Sequence, residues 1–206
     1  MNKPTGRFLL LEGRDKSGKT TQCELLVDRL VQEGYNQGKV LYIHFPIRTT
    51  AIGQMLDQYL KGEIELAPQV SHLLFSANRW EHAKQIQQWL DEGYLLVMDR
   101  YCYSGEVFSV AALNLDRHWC HTTDVGLPMP DQVFYLDLTE EELAKRNVYA
   151  KHEERYEVQE LQERAHQEFL RLAQSDTSSC SQWKLLDASG TPEQVHQLLY
   201  QEFKQL

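Results

Sequence analysis

Residues 13–20 fit the pattern G-x-x-x-x-G-K-[ST], which constrains the fold more than any other part of the chain. Its glycines let backbone N–H groups approach phosphate oxygens, while Lys19 supplies a positive charge and Thr20 a hydroxyl for a metal ion. An apolar run at residues 8–11 precedes the pattern, and Leu26 and Leu30 follow it at helical spacing. The order of strand, loop and helix predicts a phosphate-binding loop (P-loop) rather than a plain glycine turn.

The composition limits the classes of protein and partner. The 206 residues suffice for one domain, and 42% hydrophobic with 25% charged residues is ordinary for a soluble globular chain. A net charge of −9 argues against a general nucleic-acid-binding or membrane-binding surface. The sequence contains no apolar run of about 20 residues that would span a bilayer and no signal-peptide pattern at its start.

The four cysteines show no C-x-x-C spacing. We therefore expect reduced thiols and a cytoplasmic location, with nuclear or host-cell compartments as alternatives. His118, Cys120 and His121 lie close together, but without a second ligand pair we interpret them as surface and packing residues rather than as a metal site.

Five apolar runs rich in β-forming residues predict five strands, at residues 8–11, 40–45, 94–98, 133–138 and 183–186. Their nearly continuous hydrophobicity is typical of strands buried on both faces of a parallel sheet. Because helical patterns separate them, we expect an α/β fold in three layers, a doubly wound five-stranded parallel sheet with helices on both faces. No linker or repeat divides residues 1–206, so one domain is expected.

Two helix starts are well marked. Thr139 with Glu142 predicts a capping box after the fourth strand. Thr191, Pro192 and Gln194 predict a cap, a proline at the first helical position and a capping-box partner for the last helix.

The carboxyl ends of the predicted strands carry the polar residues. Ligands of open α/β sheets bind at this edge. The first strand leads into the P-loop, the second is followed by Arg48, and the third by Asp99 and Arg100. With Thr20, Asp99 is placed to hold Mg²⁺, directly or through water. Arg48 and Arg100 are placed to hold a second phosphate, since the arginine fork matches phosphate oxygens.

Two phosphate-binding devices indicate two phosphorylated substrates. A nucleotide-hydrolysing enzyme or switch needs one nucleotide and a water molecule, whereas a kinase acting on a phosphorylated acceptor needs a second anion clamp. Phe75 and Arg79, four residues apart on a predicted helix, are suited to stack a base and to bind its edge. On spacing alone, a core phenylalanine beside a surface arginine remains the alternative.

Taken in order, these motifs resemble those of thymidylate kinases, the nucleoside monophosphate kinases that phosphorylate dTMP, and most of all the eukaryotic and viral type. The matching segments span nearly the whole chain, at residues 13–20, 45–49, 74–80, 99–101, 124–128 and 154–157. The resemblance implies a P-loop nucleoside triphosphate hydrolase-like fold with an NMP-binding helix region at about 67–92 and a lid at about 146–156. It also implies transfer of the ATP γ-phosphoryl group to dTMP, giving dTDP for dTTP biosynthesis, with Mg²⁺ and in a homodimer.

The resemblance assigns roles residue by residue. On the acceptor side, it implies that Phe75 stacks on thymine, Arg79 binds the base carbonyl, Arg48 and Arg100 hold the dTMP phosphate, and Asp15 accepts from the 3′-hydroxyl. The full set of dTMP-binding residues that we expect is Asp15, Phe45, Arg48, Phe75, Arg79, Arg100, Tyr101, Ser104, Tyr156 and Gln162.

On the donor side, the resemblance implies that ATP contacts the P-loop, the start of the lid and a segment after the fifth strand. The ATP-binding residues that we expect are Gly13, Arg14, Asp15, Lys16, Ser17, Gly18, Lys19, Thr20, Thr21, Arg146 and Ala188. The expected catalytic residues are Lys16, Lys19, Asp99 and Arg100, with Thr20 and Asp99 at Mg²⁺.

The chain departs from the family pattern at Lys16, where arginine is common, and in a lid that is about one residue longer at 150–153. Lysine keeps the charge but not the bidentate fork, so either Lys16 suffices or Arg146 or Arg155 contributes more. The rival functions are another nucleotide or nucleoside kinase, a P-loop switch, and a catalytically silent binding module. If Arg79 reads the base, dCMP should be rejected strongly and dUMP only modestly.

Overall fold

The computed structural model describes residues 6–147, 154–175 and 182–206. Its strands are β1 (Arg7–Gly13), β2 (Val40–His44), β3 (Leu95–Asp99), β4 (Gln132–Asp137) and β5 (Gln182–Asp187). The described helices are α1 (Lys19–Gln32), α2 (Ala51–Leu60), α3 (Pro68–Asp91), α4 (Cys102–Leu113), α5 (Arg117–Thr122), α6 (Glu140–Asn147), α7 (Gln159–Ser175) and α8 (Pro192–Phe203). A short 3₁₀ turn at Tyr35–Gly38 precedes β2.

The strands form one parallel sheet in the order β2-β3-β1-β4-β5. Strand β1 lies in the middle, with Leu11 opposite Asp99 of β3 and Gly13 opposite Leu136 of β4. All carboxyl ends therefore meet at one edge, where the P-loop leaves β1.

Side chains that alternate along the buried strands build a core on each face of the sheet. Phe8 and Leu10 of β1 point to one face, which α3, α4 and α7 cover. Leu9 and Leu11 point to the other face, which α1 and α8 cover. Both faces are apolar because both are buried, so the predicted three-layer doubly wound sheet is confirmed.

The bounds of all five strands differ by one or two residues from those predicted, and the differences at β2 and β3 bear on the site. Strand β2 ends at His44, although the Phe45 backbone N–H still donates to the Asp99 carbonyl oxygen at 3.0 Å. Strand β3 starts at Leu95 and includes Asp99, which pairs with Leu11 and His44 on its two sides. Asp99 is therefore part of the strand, although the apolar pattern of the sequence ends one residue before it.

The two predicted caps have different outcomes. Thr191 and Gln194 form the full reciprocal capping box of α8, with Pro192 at the first helical position. At α6, Thr139 Oγ1 accepts from the Glu142 backbone N–H at 3.3 Å, which is half of the predicted box.

Among the described residues, no helix combines the length and apolarity needed to cross a bilayer. The expected extra residue of the lid, at 150–153, lies outside the described residues, as does Cys180.

Candidate active site

A cavity of about 490 Å³ opens at the carboxyl edge of the sheet. The P-loop lines one end, where Lys16, Lys19 and Thr20 face the space. Residues of α3 and α4 line the other end, with Phe75 and Arg79 opposite Phe108. The cavity therefore joins the predicted phosphate-binding and base-binding groups in one continuous site.

The P-loop has the backbone geometry that its glycines permit. Gly18 precedes α1 with a φ of 98° in the left-handed region, so the helix N-terminus begins at Lys19 and faces the cavity. Gly13 leaves no space for a side chain, because an added Cβ would lie 2.7 Å from Ser17 Oγ and 2.9 Å from the Leu136 carbonyl oxygen. Lys16 adopts a φ of 64°, a strained value for a residue with a side chain.

Lys19 is held by the loop itself. Its Nζ donates to the Arg14 carbonyl oxygen at 2.7 Å, and the side chain is buried. Burial, together with the nearby charge of Arg100, lowers the pKa of Lys19 to about 8 against the attraction of Asp99 and Asp15. A buried ammonium group at the start of a helix is suited to receive an anion.

Thr20 and Asp99 lie together at the centre of the cavity. Thr20 Oγ1 donates to Asp99 Oδ2 at 2.5 Å, and His44 Nδ1 lies 3.3 Å from the same oxygen. Burial acts to raise the pKa of Asp99, but His44 and the charges of Lys19 and Arg100 outweigh it and lower the pKa well below its usual range. Among the described residues, the buried Asp99 Oδ1 has no hydrogen-bond partner. A hydroxyl and an ionised carboxylate with a spare oxygen are ligands that suit Mg²⁺.

Asp15 connects the P-loop to two other elements. It pairs with Arg100 Nη2, and Gln162 of α7 donates to its second oxygen. The Gln162 side chain also accepts from the Asp15 backbone N–H at 2.8 Å and donates to the Tyr156 carbonyl oxygen at 2.8 Å. One amide side chain therefore holds the loop, α7 and the segment just before α7 together.

Arg100 occupies a strained backbone position that Glu12 stabilises. Its φ is 65°, in the left-handed region. The fully buried Glu12 accepts from the backbone N–H groups of Tyr101 and Ser104 and from the Ser104 hydroxyl at 2.6 Å. Burial raises the pKa of Glu12, against the opposing charge of Arg100. These bonds fix the turn from which the Arg100 side chain enters the cavity.

The cations at the mouth of the cavity are paired with carboxylates. Arg48 Nη1 lies 2.5 Å from Asp57 of α2, and Arg48 Nη2 lies 2.6 Å from Glu154. Lys16 Nζ lies 3.0 Å from Glu157. Glu154 and Glu157 belong to the short segment before α7, so this segment covers both cations.

At the far end, Arg79 is buried and fixed by Asp124. Arg79 Nε and Nη2 donate to the two oxygens of Asp124 at 3.2 and 2.7 Å, and Ser76 Oγ donates to Asp124 at 2.8 Å. The interpretation of Arg79 as a surface residue is therefore wrong, since it is only 3% exposed. Gly105 lets α4 approach, because an added Cβ would lie 2.6 Å from the Arg79 guanidinium.

The structure brings most of the predicted acceptor-side residues to the cavity. Phe45, Tyr101, Ser104 and Tyr156 line it. Tyr156 stacks on Phe108 with ring centroids 5.6 Å apart. Gln162 does not line the cavity and acts through Asp15.

On the donor side, some predicted residues support the loop from outside the cavity. The Arg14 side chain is buried and donates to the Leu138 carbonyl oxygen and, at 3.2 Å, to Glu163 of α7. Arg146 donates to the carbonyl oxygens of Lys16 and Ser17 at 3.3 and 3.1 Å, and of Ala188 at 2.6 Å. Four further predicted residues line the cavity or form the loop backbone: Gly13, Ser17, Gly18 and Thr21.

Comparison with known proteins decides the family. A thymidylate kinase family model matches residues 11–199. The chain belongs to the thymidylate kinase family. It is 45% identical to the thymidylate kinase of Schizosaccharomyces pombe over 191 residues, covering 93% of this chain and 88% of that protein. It is 41% identical to the human thymidylate kinase over 192 residues, covering 93% of this chain and 87% of that protein.

A solved thymidylate kinase structure has the same fold. The Candida albicans enzyme superposes with a TM-score of 0.84 and 33% identity, covering 97% of this chain and 92% of that one. The predicted resemblance, fold and enzyme class are confirmed, and so is ATP-dependent phosphorylation of dTMP as the activity of the family to which the chain belongs. Membership in this family argues against the switch and the silent binding module.

The sequence reasoning missed several residues of this thymidylate kinase site, and three of them illustrate why. Asp124 fixes Arg79, Ser109 lines the cavity, and His72 binds Ser109 from behind. Asp124 lies in the family-like segment 124–128, but its partner Arg79 is 45 positions away, so the sequence alone does not indicate the pair. No local pattern indicates the pair of His72 and Ser109.

Proposed function

We propose that the cavity binds ATP at its P-loop end and dTMP between α3 and α4, and that it transfers the γ-phosphoryl group directly between them. The observation that carries this proposal is the presence of two cationic clamps in one cavity, Lys16 with Lys19 at one end and Arg48 with Arg100 beyond them. Two polyanions are drawn together only where each has its own positive charges.

On the donor side, the P-loop N–H groups and the N-terminus of α1 bind the ATP phosphates. Lys19 binds the β- and γ-phosphates, and its burial strengthens that attraction. Arg146 holds the loop by its carbonyl oxygens and joins it to Ala188, beside which the adenine lies.

On the acceptor side, Phe75 stacks on the thymine and Arg79 donates to its 4-carbonyl oxygen. The bidentate pair with Asp124 supports this role, because it holds the guanidinium in one orientation. Arg48 and Arg100 bind the dTMP phosphate, and Asp15, oriented by Gln162, accepts from the 3′-hydroxyl.

Thr20 and Asp99 would hold Mg²⁺, directly or through water. The fit rests on the spare buried oxygen of Asp99 and on the lowered pKa that keeps it ionised. When bound, the ion neutralises charge on the β- and γ-phosphates.

The chain itself positions the reactants and stabilises charge. The acceptor is already a phosphate anion, so no general base and no covalent enzyme intermediate are needed. Lys16 of the first clamp and Arg100 of the second both face the cavity, where they stabilise the negative charge that shifts during transfer. The lid segment excludes water, which limits hydrolysis of ATP.

A steady-state assay of ATP with dTMP, dUMP, dCMP and dGMP tests this function. We expect turnover with dTMP, somewhat less efficient turnover with dUMP, and kcat/KM lower by about 10⁴ with dCMP, because cytosine turns a donor toward Arg79. Equal efficiency with dCMP and dTMP, or near-normal turnover of dTMP by Arg100→Ala, contradicts the assignment. Another nucleotide kinase would show a different preferred acceptor in the same panel.

We also propose a homodimer in a reducing, cytosolic compartment. The apolar side chains of Val70, Leu73 and Trp80 on one side of α3 are 44%, 47% and 41% exposed, beside the exposed Val125. Such a patch favours a protein–protein contact. Light scattering should give twice the mass of the chain, and Leu73→Glu should give the monomer. Cys23, Cys102 and Cys120 are buried free thiols, which fits reducing conditions.

A further inference from the structure

The turn that carries Arg48 has no regular secondary structure of its own. Residues 45–50 connect β2 to α2, and Arg48 reaches the cavity from this stretch. The backbone groups of a helix or a strand are fixed by their own hydrogen-bond ladder, whereas those of a turn need partners from elsewhere. The position of the Arg48 guanidinium therefore depends on what holds the backbone on either side of it.

A buried asparagine of α3 holds the residue before Arg48. Asn78 is fully buried, and its Oδ1 accepts from the Ile47 backbone N–H at 2.8 Å. Its Nδ2 donates to the Ile47 carbonyl oxygen at 3.0 Å. The side chain thus binds both polar groups of one main-chain residue, as a paired strand would. The two bonds fix the orientation of the Ile47 backbone as well as its position.

A second residue of α3 completes this contact. Glu81 accepts from Asn78 Nδ2 at 2.8 Å and from the Thr50 hydroxyl at 2.6 Å. Thr50 also caps α2, since its Oγ1 accepts from the Gly53 backbone N–H at 3.0 Å. Gly53 lies so close to the turn that an added Cβ would be 1.9 Å from the Ile47 carbonyl oxygen. Helix α3 therefore holds the turn both before and after the arginine, and α2 packs against it.

An amide side chain suits the contact with Ile47. It carries an acceptor and a donor side by side, whereas a carboxylate has acceptors only. The two hydrogens of Asn78 Nδ2 are used by Ile47 and Glu81, so none is left for a ligand, although Asn78 lines the cavity. We therefore expect any effect of Asn78 on a ligand to pass through the turn.

We propose that Asn78 is a positioning residue for the acceptor phosphate, because it fixes Ile47 and thereby places the Arg48 guanidinium before the ligand binds. The proposal rests on the binding of dTMP proposed above. Arg48 is 34% exposed and pairs with Asp57 and Glu154, so a turn without its anchor would let the guanidinium follow these carboxylates. With the backbone fixed, only the side-chain torsions of Arg48 remain to be ordered when the phosphate binds.

Calorimetry with dTMP and with thymidine, both without ATP, tests the proposal. Thymidine has the same base and sugar but no phosphate for Arg48 to bind. In Asn78→Asp, an acceptor replaces the donor and faces the Ile47 carbonyl oxygen and Glu81. We expect this variant to raise the Kd for dTMP by about 10-fold and the Kd for thymidine by less than about twofold. An unchanged Kd for dTMP, or an equal loss for both ligands, overturns the proposal.

A second variant separates loss of the anchor from the added charge. Asn78→Ala removes both bonds to Ile47 and should raise the Kd for dTMP by about 3- to 10-fold, again without weakening thymidine. Gln132→Glu is the matched control, because Gln132 is a similarly buried amide that bonds the Val133 carbonyl oxygen and does not line the cavity. It should bind dTMP within about twofold of the wild type, and a loss equal to that of Asn78→Asp overturns the proposal.

A double-mutant cycle shows whether the effect passes through Arg48. In an Arg48→Ala background, Asn78→Asp should weaken dTMP binding by less than about twofold further, since the group that it positions is gone. A further loss of about 10-fold would mean that Asn78 acts on the ligand by another route and overturns the proposal.

Hydrogen exchange tests the same contact in the wild type. Without any ligand, the Ile47 amide proton should exchange at least about 10²-fold more slowly than in an unfolded peptide, because its acceptor is a buried side chain. Exchange as fast as in an unfolded peptide overturns the proposal. If the wild type does not phosphorylate dTMP at all, the proposed function fails instead, so the two failures are distinguishable.

Discussion

Arg48 and Glu154 form an ion pair across the mouth of the cavity, with 2.6 Å between Arg48 Nη2 and Glu154 Oε1. Both side chains are about one-third exposed, at 34% and 28%. The arginine assigned to the acceptor phosphate is therefore paired with a carboxylate where a phosphate oxygen is expected to bind.

Removing this carboxylate should strengthen dTMP binding. We expect Glu154→Gln to lower the Kd for dTMP by about 2- to 5-fold. The dTMP phosphate must break the ion pair of Arg48 with Glu154 in the wild type, and an exposed ion pair of this kind contributes up to about 1 kcal/mol. Calorimetry without ATP measures the effect. Glu65→Gln is the matched control, since Glu65 pairs with Arg155 rather than with Arg48. Weaker binding by Glu154→Gln would mean that Glu154 assists dTMP instead of competing with it.

Lys16, rather than Arg155, should carry the catalytic charge. Lys16 faces the cavity, whereas Arg155 donates to the carbonyl oxygens of Tyr59 and Ile64 and lies 4.4 Å from the Tyr59 ring centroid. We expect Lys16→Met to lower kcat by about 10²–10³ and Arg155→Met by less than about threefold. Single-turnover transfer from labelled ATP to dTMP separates the chemical step from product release. A greater loss of kcat for Arg155→Met than for Lys16→Met would indicate that the catalytic charge comes from the lid instead of Lys16.

A methyl group at residue 105 should disturb base binding alone. The added Cβ of Gly105→Ala would lie 2.6–2.9 Å from atoms of the Arg79 guanidinium, which its pair with Asp124 prevents from moving freely. We expect the KM for dTMP to rise by about 10-fold or more, as for loss of a buried charged hydrogen bond. The KM for ATP is the internal control. An unchanged KM for dTMP would show that Arg79 does not contact the base.

His72 should make stability dependent on pH in the acidic range. Because its folded pKa is lowered, the unfolded state binds more protons below the ordinary histidine value of about 6.5. The stabilisation by the neutral ring is present above that value and lost as the pH falls through the folded pKa, with a slope of at most about 1.4 kcal/mol per pH unit. Urea unfolding of wild type and His72→Gln at a series of pH values measures it. The variant should show a shallower slope, whereas His118→Gln, at an exposed site on α5, should match the wild type.

The fold was predictable because its determinants are local. The continuous apolarity of β1 and the P-loop that follows it fix the sheet centre and the position of the site within a few residues. The capping box of α8 needs only Thr191, Pro192 and Gln194, which are neighbours in sequence.

The part of the site that was not predictable depends on contacts between distant segments. Helical spacing gave no sign that Arg79 is buried, because the carboxylate that allows its burial is on the loop after α5. Ser109 and His72 lie on different helices, 37 positions apart, so only the folded chain brings them into contact. Part of the predicted lid, at residues 148–153, lies outside the described residues, so its alignment remains a prediction.

Gln162 has a further consequence, because its one amide group binds both Asp15 of the P-loop and the Tyr156 carbonyl oxygen. If bound dTMP orders Tyr156, as proposed, the same amide should order the P-loop, and we expect the affinities for the two nucleotides to be coupled. Thermodynamic coupling of this kind is reciprocal: the factor by which saturating dTMP changes the affinity for ATP equals the factor by which saturating ATP changes the affinity for dTMP. We therefore expect this single side chain to couple the two substrate sites.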